Sequence, residues 1–113
     1  MTEYQERLRS LALNDERFVR SVLGMDQRAP PASRLDAKTH ALVSLAALVS
    51  IGATSSAYCL RTEEALAAGA SFDEIVGTLI AVAPEVGMGR VVSAAPDLGL
   101  ALGYDVAAAL EAR

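Results

Sequence analysis

Few side chains of this 113-residue chain could carry out chemistry, and the clearest candidates are its single cysteine and its single histidine. Cys59 could act as a peroxidatic or redox-sensing thiol, or it could pack as a small buried hydrophobe, as free cysteines usually do. His40 is the usual type of acid/base group at neutral pH. Asp36, four residues earlier, could orient the imidazole for catalysis or simply pair with it at the surface.

A third candidate is Arg61, which is followed by Glu63 and Glu64. A guanidinium at this point could bind a small carboxylate ligand through two parallel hydrogen bonds. The alternative is a solvated helix face or an ion pair between subunits. Tyr58 could add a phenol to such a site or pack in the core. One histidine and one cysteine do not make a metal site, so we expect no metal and no cofactor.

A helix must position the candidates around Cys59, and the sequence predicts one from Thr54 or Ser55 to about Ala68. Gly69 follows where a left-handed residue typically ends a helix. One face of this helix carries the residues expected to pack on the core: Tyr58, Cys59, Thr62, Ala65 and Leu66. Arg61 is two residues from Cys59 and should therefore point away from it.

The next helix begins with a capping box, in which Ser71 and Glu74 satisfy each other's backbone amides. It should stop at Pro84, because proline has no amide hydrogen to donate. Beyond it, residues 90–95 and 98–102 have helical character, and Pro96 either bends one helix or separates two. Asp105 can cap a short closing helix.

Upstream, Asp36 can cap a helix over residues 37–51 that ends at Gly52. This helix is apolar nearly all round, so it must be buried on most sides, in the centre of the fold or at a subunit interface. Residues 1–24 predict a helical hairpin, with Asn14 or Asp15 as the cap of its second helix and Gly24 at its end. A proline-rich connector follows at residues 25–35, before the core at residues 36–112.

Composition favours a single all-α domain over residues 1–113. Hydrophobic residues make up 52% of the chain but aromatic residues only 4%, so alanine, leucine and valine dominate and the aromatic content typical of a sheet protein is missing. Residues 1–40 carry seven Lys/Arg and six Asp/Glu, and residues 41–113 carry three and eight. This balance leaves no basic patch, and we expect no nucleic-acid partner.

Two observations bear on location. Residues 39–60 contain no charged side chain, but their apolar run is too short and too often interrupted by serine, threonine and glycine for a membrane span. The N-terminal segment is charged where a signal peptide would be apolar. We therefore expect a cytoplasmic protein without a membrane partner.

Two segments of the chain resemble the carboxymuconolactone decarboxylase-like family, which includes the AhpD-type alkylhydroperoxidases. They are LDAKTHALVSLAAL at residues 35–48 and EEALAAGASFDEIVGTLIAVAPEVGMGRVVSAA at residues 63–95. The resemblance covers residues 35–102, and its most specific part is residues 65–75. It implies an all-α bundle of six to seven helices that assembles as a homo-oligomer, commonly a trimer or a hexamer.

The same resemblance implies where catalytic residues would lie. Members of the AhpD type use a glutamate, a CxxC pair and a following histidine. Aligned on the glycine turn, the cysteines fall at Thr54 and Ala57, the histidine at Arg61 and the glutamate near Ala41. The decarboxylase branch shares the histidine position and has a glutamate near Gly77. The residues present here cannot do the same work.

Three hypotheses follow for function. The first is an oligomer of this fold that has lost the inherited sites and binds a small carboxylate near Arg61, or assists a partner enzyme. The second is a divergent enzyme, either a hydroperoxide reductase of the peroxiredoxin type using Cys59 or a lactone decarboxylase using His40. The third is a purely structural interaction protein.

Overall fold

The computed structural model describes residues 1–23 and 33–112, which form seven α-helices and no strand. The all-α prediction is therefore confirmed. The chain divides into two compact units, Met1–Leu35 and Asp36–Arg113. The predicted end of the hairpin at Gly24 and most of the predicted connector lie outside the described residues. The packing of the N-terminal hairpin on the core stays a prediction.

The first unit contains α1 (Glu3–Ala12) and α2 (Glu16–Leu23), which contact each other. The Asp15 carboxylate accepts the amide hydrogen of Phe18 at 3.1 Å, so Asp15 rather than Asn14 caps α2. A mainly apolar cleft of about 380 Å³ lies on this unit. Its lining comes from both helices and from the segment after α2: Tyr4, Arg7, Leu8, Leu11, Phe18 and Ser33.

The second unit is a bundle of four helices with a short fifth helix. Its elements are α3 (Ala37–Ile51), α4 (Ser55–Ala67), α5 (Phe72–Val86), α6 (Met88–Ala101) and α7 (Val106–Glu111). Around the bundle, α3 packs mainly against α4 and α5, and α6 packs mainly against the same two helices. α3 and α6 therefore face each other across one diagonal, and α4 and α5 across the other. The short α7 packs against α6.

The ends of these helices follow the local signals in the sequence. Asp36, Thr54 and Asp105 each accept the amide hydrogen of the residue three positions later, at 2.7, 3.4 and 3.0 Å. Gly52 ends α3 in the left-handed conformation, with a φ of 67°. Because a side chain is unfavourable at that φ, glycine is the suitable residue there.

The turn from α4 to α5 also has the predicted form. Gly69 has a φ of 95°, which again favours glycine. The Ser71 hydroxyl accepts the amide hydrogen of Glu74 at 3.0 Å, and the Glu74 carboxylate accepts that of Ser71 at 2.9 Å. Lys38 on α3 donates to the same carboxylate at 3.0 Å, so the capping box also ties α5 to α3.

Two prolines lie inside helices, and the prediction that α5 ends at Pro84 is wrong. α5 does not stop at Pro84 but continues to Val86, and α6 runs through Pro96 as a single helix. Each proline removes only one hydrogen bond, to the carbonyl four residues earlier. Those carbonyls belong to Ile80 and Val92, whose residues are exposed, so water can hydrate them.

The core of the second unit is built from small and aliphatic residues on one face of each long helix. Its buried hydrophobic members are Ala41, Leu45, Val49, Tyr58, Ala65, Ala70, Ile75, Leu79, Ala94 and Leu98. The prediction that α3 is buried on most sides is not met within this chain, because only Ala41, Leu45 and Val49 are buried, whereas Val43 and Ile51 are exposed. The alternative, burial at a subunit interface, stays a prediction. None of the described helices is long and apolar enough to cross a membrane.

Acid should weaken the second unit through two helix caps. The backbone hydrogen bond from Thr39 lowers the pKa of Asp36, and the backbone hydrogen bond from Ser71, followed by Lys38, lowers the pKa of Glu74. A carboxyl whose pKa falls on folding stabilises the fold above its unfolded pKa of about 4 and loses that contribution as the pH falls through the folded value.

We therefore expect the urea midpoint of the chain to be lower at pH 3 than at pH 7. A variant with Asp36→Asn and Glu74→Gln keeps residue types that can cap a helix but cannot titrate, so its midpoint should change less between the two pH values. An equal drop in both proteins would show that other groups cause the acid sensitivity.

Candidate functional site

Four of the five predicted site residues lie on α4, and the helix turns them in different directions. Tyr58 is buried, Cys59 and Glu63 are exposed, and Arg61 is half-buried. At 3.6 residues per turn, Cys59 and Arg61 point about 160° apart, whereas Cys59 and Glu63 point to nearly the same side. The helix therefore carries two separate polar pairs rather than one cluster.

The first pair is formed by Cys59 and Glu63. The thiol donates to the Glu63 carboxylate, with 3.7 Å between Sγ and Oε1, and both residues are exposed. The interpretation of Cys59 as a small buried hydrophobe is wrong for this chain. Cys59 follows the buried Tyr58 by about 100° around the helix, and its side chain is exposed. The thiol is open to solvent reagents and has a carboxylate within reach of its proton.

The second pair is formed by Arg61 and Glu64, on the other flank of α4. The Arg61 Nη1 donates to the Glu64 Oε2 at 2.9 Å, and both side chains are only 21% exposed. Part of the guanidinium is thus committed to a neighbour on the same helix. Its remaining N–H groups keep the capacity to donate to another acceptor.

Tyr58 packs in the core instead of contributing a phenol to an exposed site. Its side chain is buried in the core, and its hydroxyl donates to the backbone carbonyl of Leu48 at the end of α3, at 3.2 Å. Burial raises the pKa of the phenol, and the nearby Asp97 carboxylate raises it further. Both effects keep the hydroxyl protonated. Tyr58 therefore ties α4 to α3, which is the packing role that the sequence left open.

His40 lies apart from the thiol. It is half-buried in the first turn of α3, and the connection over residues 52–54 makes α3 and α4 antiparallel neighbours. Along such a hairpin His40 is about seven residues farther from the turn than Cys59, or about 10 Å at 1.5 Å per residue. The Asp36 Oδ1 already accepts the Thr39 amide hydrogen. A decarboxylase role for His40 stays a prediction.

The positions that the family resemblance assigns to catalytic residues have other roles here. The Thr54 hydroxyl accepts the Ala57 amide hydrogen and so starts α4, and Ala41 is buried in the core. Arg61 is held by Glu64. At these positions the chain therefore has a helix cap, a packing residue and an ion pair in place of the catalytic residues that the resemblance implies.

Sequence reasoning missed a polar group around the turn from α3 to α4. The Ser55 hydroxyl donates to the Asp97 carboxylate on α6 at 2.8 Å, and the Arg90 guanidinium lies where a side chain on Gly52 would be. Gly52 thus permits both the left-handed turn and the approach of Arg90. Because these partners are about 40 residues apart in the chain, no local pattern could have indicated them.

Thr62 is a buried polar residue on the core side of α4, as the sequence pattern predicted. Its side chain is 0% exposed, and its hydroxyl has no hydrogen-bond partner within the part of the chain that the structure describes.

Over residues 1–23 and 33–112, no group of three or more His, Cys, Asp or Glu side chains could hold a metal ion.

Comparison with known proteins gives one match. The sequence model of the carboxymuconolactone decarboxylase family matches residues 16–96. No curated protein and no solved structure matches the chain. The matched segment contains α2 to α5 in full and most of α6, including all five candidate residues.

Proposed function

Because the chain belongs to the carboxymuconolactone decarboxylase family, we propose that it keeps the helical scaffold of that family without its thiol or decarboxylase chemistry. It would act as an oligomeric protein that binds a small carboxylate or assists a partner enzyme. The observation that carries the proposal is the Arg61–Glu64 ion pair, half-buried on α4 where the family resemblance implies a histidine. A guanidinium offers N–H donors and no acceptor, so an arginine there serves binding rather than proton transfer.

The ligand would exchange with Glu64 on the guanidinium. Glu64 engages Nη1 through one oxygen, which leaves other N–H groups of the planar fork for a two-pronged contact with a second carboxylate. The limited exposure of the pair strengthens such a contact, because fewer water molecules compete for the donors. The charge of Glu64 opposes it. These two effects favour small ligands and modest affinity.

Substitutions of Arg61 and Glu64 should have opposite effects on ligand binding. We expect succinate and benzoate to raise the melting temperature of the chain, and Arg61→Ala to abolish the shift. Glu64→Gln removes the competing charge with little change in shape, so it should strengthen ligand binding by about 10-fold. Thermal shift with titration calorimetry measures both effects.

The control is Arg90→Ala, which removes an exposed arginine on α6 and should leave carboxylate binding unchanged. Sodium chloride at equal ionic strength controls for general salt effects. The proposal is contradicted if neither carboxylate binds, or if binding survives Arg61→Ala. If neither carboxylate binds, a purely structural role would gain support, whereas binding that survives Arg61→Ala would place the ligand elsewhere on the chain.

The proposed assembly is a homo-oligomer, a trimer or a hexamer, in the cytoplasm. Its support is the large number of exposed apolar side chains on the second unit, including Val43, Leu60, Val76 and Met88. Monomers rarely expose large contiguous apolar surfaces without a partner. A sedimentation experiment that finds only monomer at micromolar concentration would contradict the assembly.

A second function is favoured by the exposure of Cys59 and by the Glu63 carboxylate beside it. In this alternative Cys59 reduces an organic hydroperoxide. The thiolate sulfur attacks the peroxide oxygen, the O–O bond breaks, and the products are a sulfenic acid and an alcohol. Glu63 would accept the thiol proton and return it to the departing alkoxide. Two equivalents of an external thiol would then restore Cys59 and release water.

Peroxide kinetics decide between the two functions. If binding is the function, Cys59 should react with cumene hydroperoxide no faster than free cysteine, and Glu63→Gln should not change the rate. Because the thiol is exposed, a disulfide reagent such as DTNB should still modify it in the folded chain. Oxidation at least 10-fold faster than free cysteine, slowed by Glu63→Gln and turning over with added thiol, would establish the reductase instead.

A further inference from the structure

The outer surface of the α5–α6 hairpin carries five large apolar side chains. They are Phe72, Val76 and Ile80 on α5 and Met88 and Val92 on α6, and they are between 42% and 69% exposed. We refer to these five residues as the hairpin surface. The residues of α5 are spaced by four, as are those of α6, so each set forms one ridge along its helix.

The two ridges border the same groove. On α5, the buried Ile75 points to the core. Glu74, one residue before it, points about 100° to one side and binds Lys38 of α3. Val76, one residue after it, points about 100° to the opposite side, away from α3. Since α5 lies between α3 and α6, the ridge of α5 is on the side of α6.

The same reasoning applies to α6. Asp97 accepts the hydroxyl hydrogen of Ser55 on α4, which places α4 on one side of the core-facing Leu98. Val91 packs against the core. Val92 points about 100° away from Val91, on the flank of α6 opposite to the one that carries Asp97. Since α6 lies between α4 and α5, its ridge is on the side of α5. The five side chains therefore form one continuous surface.

Charges are displaced from this surface. Most charged residues of the two helices lie toward α3 or α4: Glu74, Glu85, Arg90 and Asp97. Asp73, in the first turn of α5, is the exception. A chain with a net charge of −4 can thus bring two such surfaces together without opposing their carboxylates.

The size of the surface suits a specific contact. Together the five side chains expose about as much as three fully exposed ones, which is roughly 200–350 Å² of apolar area at 60–120 Å² each. A standard interface buries about 800 Å² per partner, of which about 500 Å² is apolar in a homodimer. The hairpin surface supplies about half of that, and the alanine, proline and glycine residues beside it extend the apolar area.

From this geometry we infer that the hairpin surface binds the hairpin surface of a second copy of the chain. The inference rests on the homo-oligomer of the proposed function and specifies its contact. Two ridges spaced by four residues can pack into the grooves of an identical pair across a two-fold axis. The contact is isologous, so the assembly contains an even number of copies.

Matched isoleucines test the contact. Ile80 lies in the hairpin surface and Ile51 at the end of α3, and both are 69% exposed. Sedimentation of the full chain should show even-numbered oligomers for the wild type and for Ile51→Lys. Ile80→Lys should weaken association by about 100-fold, because the two-fold axis buries two unpaired ammonium groups at once.

Val92→Lys, on the other ridge, should weaken association as much as Ile80→Lys. The second variant keeps the test valid if one of the two fails to fold. Far-UV circular dichroism checks the fold of each. A wild-type oligomer that survives both lysine variants would overturn the inference and leave the oligomer proposal standing. Equal loss in Ile51→Lys would show a contact between unlike surfaces and would overturn it too. A wild-type trimer would also exclude the two-fold contact, and a wild-type monomer would overturn the inference and the oligomer together.

Discussion

A variant with Thr54→Cys and Ala57→Cys is expected to form a reversible disulfide at the start of α4, a reaction that the natural chain cannot undergo with its single cysteine. Thr54 is the N-cap of α4, and its hydroxyl already contacts the Ala57 amide at 3.4 Å. Positions three residues apart at a helix start have the spacing that a disulfide requires. The positive end of the helix also lowers the pKa of a thiol placed there.

The experiment is best made in a Cys59→Ser background, so that only the two new thiols react. Oxidation by cumene hydroperoxide, followed by mass spectrometry, should be at least 10-fold faster than for the Cys59→Ser chain with either new cysteine alone. Adding Arg61→His tests whether an imidazole accelerates it further. If the dithiol reacts no faster than a single thiol, the helix start does not correspond to the family site, and the assignment of Thr54 and Ala57 would be wrong.

The second large effect concerns stability. Ile75→Ala should destabilise the second unit by about 3–4 kcal/mol, because Ile75 is 0% exposed and truncation leaves a cavity in a core with few large side chains. This is a large fraction of the stability of a small domain. Urea unfolding followed by circular dichroism gives the free-energy difference.

Ile51→Ala is the matched control. The same truncation at a side chain that is 69% exposed should cost less than about 0.5 kcal/mol. Similar losses for the two variants would mean that Ile51 is buried in the assembled protein or that Ile75 is not part of the core. Measuring each variant at two protein concentrations separates these explanations, because only the first depends on association.

The sequence predicted the helix ends well because their causes are local. Asp36, Ser71 and Asp105 each need only a backbone amide three residues away, and Gly52 needs only a φ that other residues avoid. The same locality made Pro84 misleading. Losing one hydrogen bond argues for a helix end, but packing of Ile75, Leu79 and their neighbours carries α5 two residues farther.

The candidate site was less predictable, because exposure depends on which flank a neighbouring helix covers. Cys59 and Tyr58 are adjacent in sequence, and both fit a core-facing side by periodicity alone. Only the positions of α3 and α6 decide that Tyr58 is buried and Cys59 is not. The Ser55–Asp97 hydrogen bond and the approach of Arg90 to Gly52 depend on tertiary structure entirely.

The prolines inside α5 and α6 have a consequence for hydration. Pro84 leaves the carbonyl of Ile80 without its usual helical donor, and Pro96 does the same for the carbonyl of Val92. Both carbonyls belong to residues of the hairpin surface, so an apolar surface there also carries two backbone acceptors. Burying them without water would be costly, whereas ordered water molecules can donate to them. A contact at this surface should therefore retain ordered water and dissociate more readily than a dry helical core.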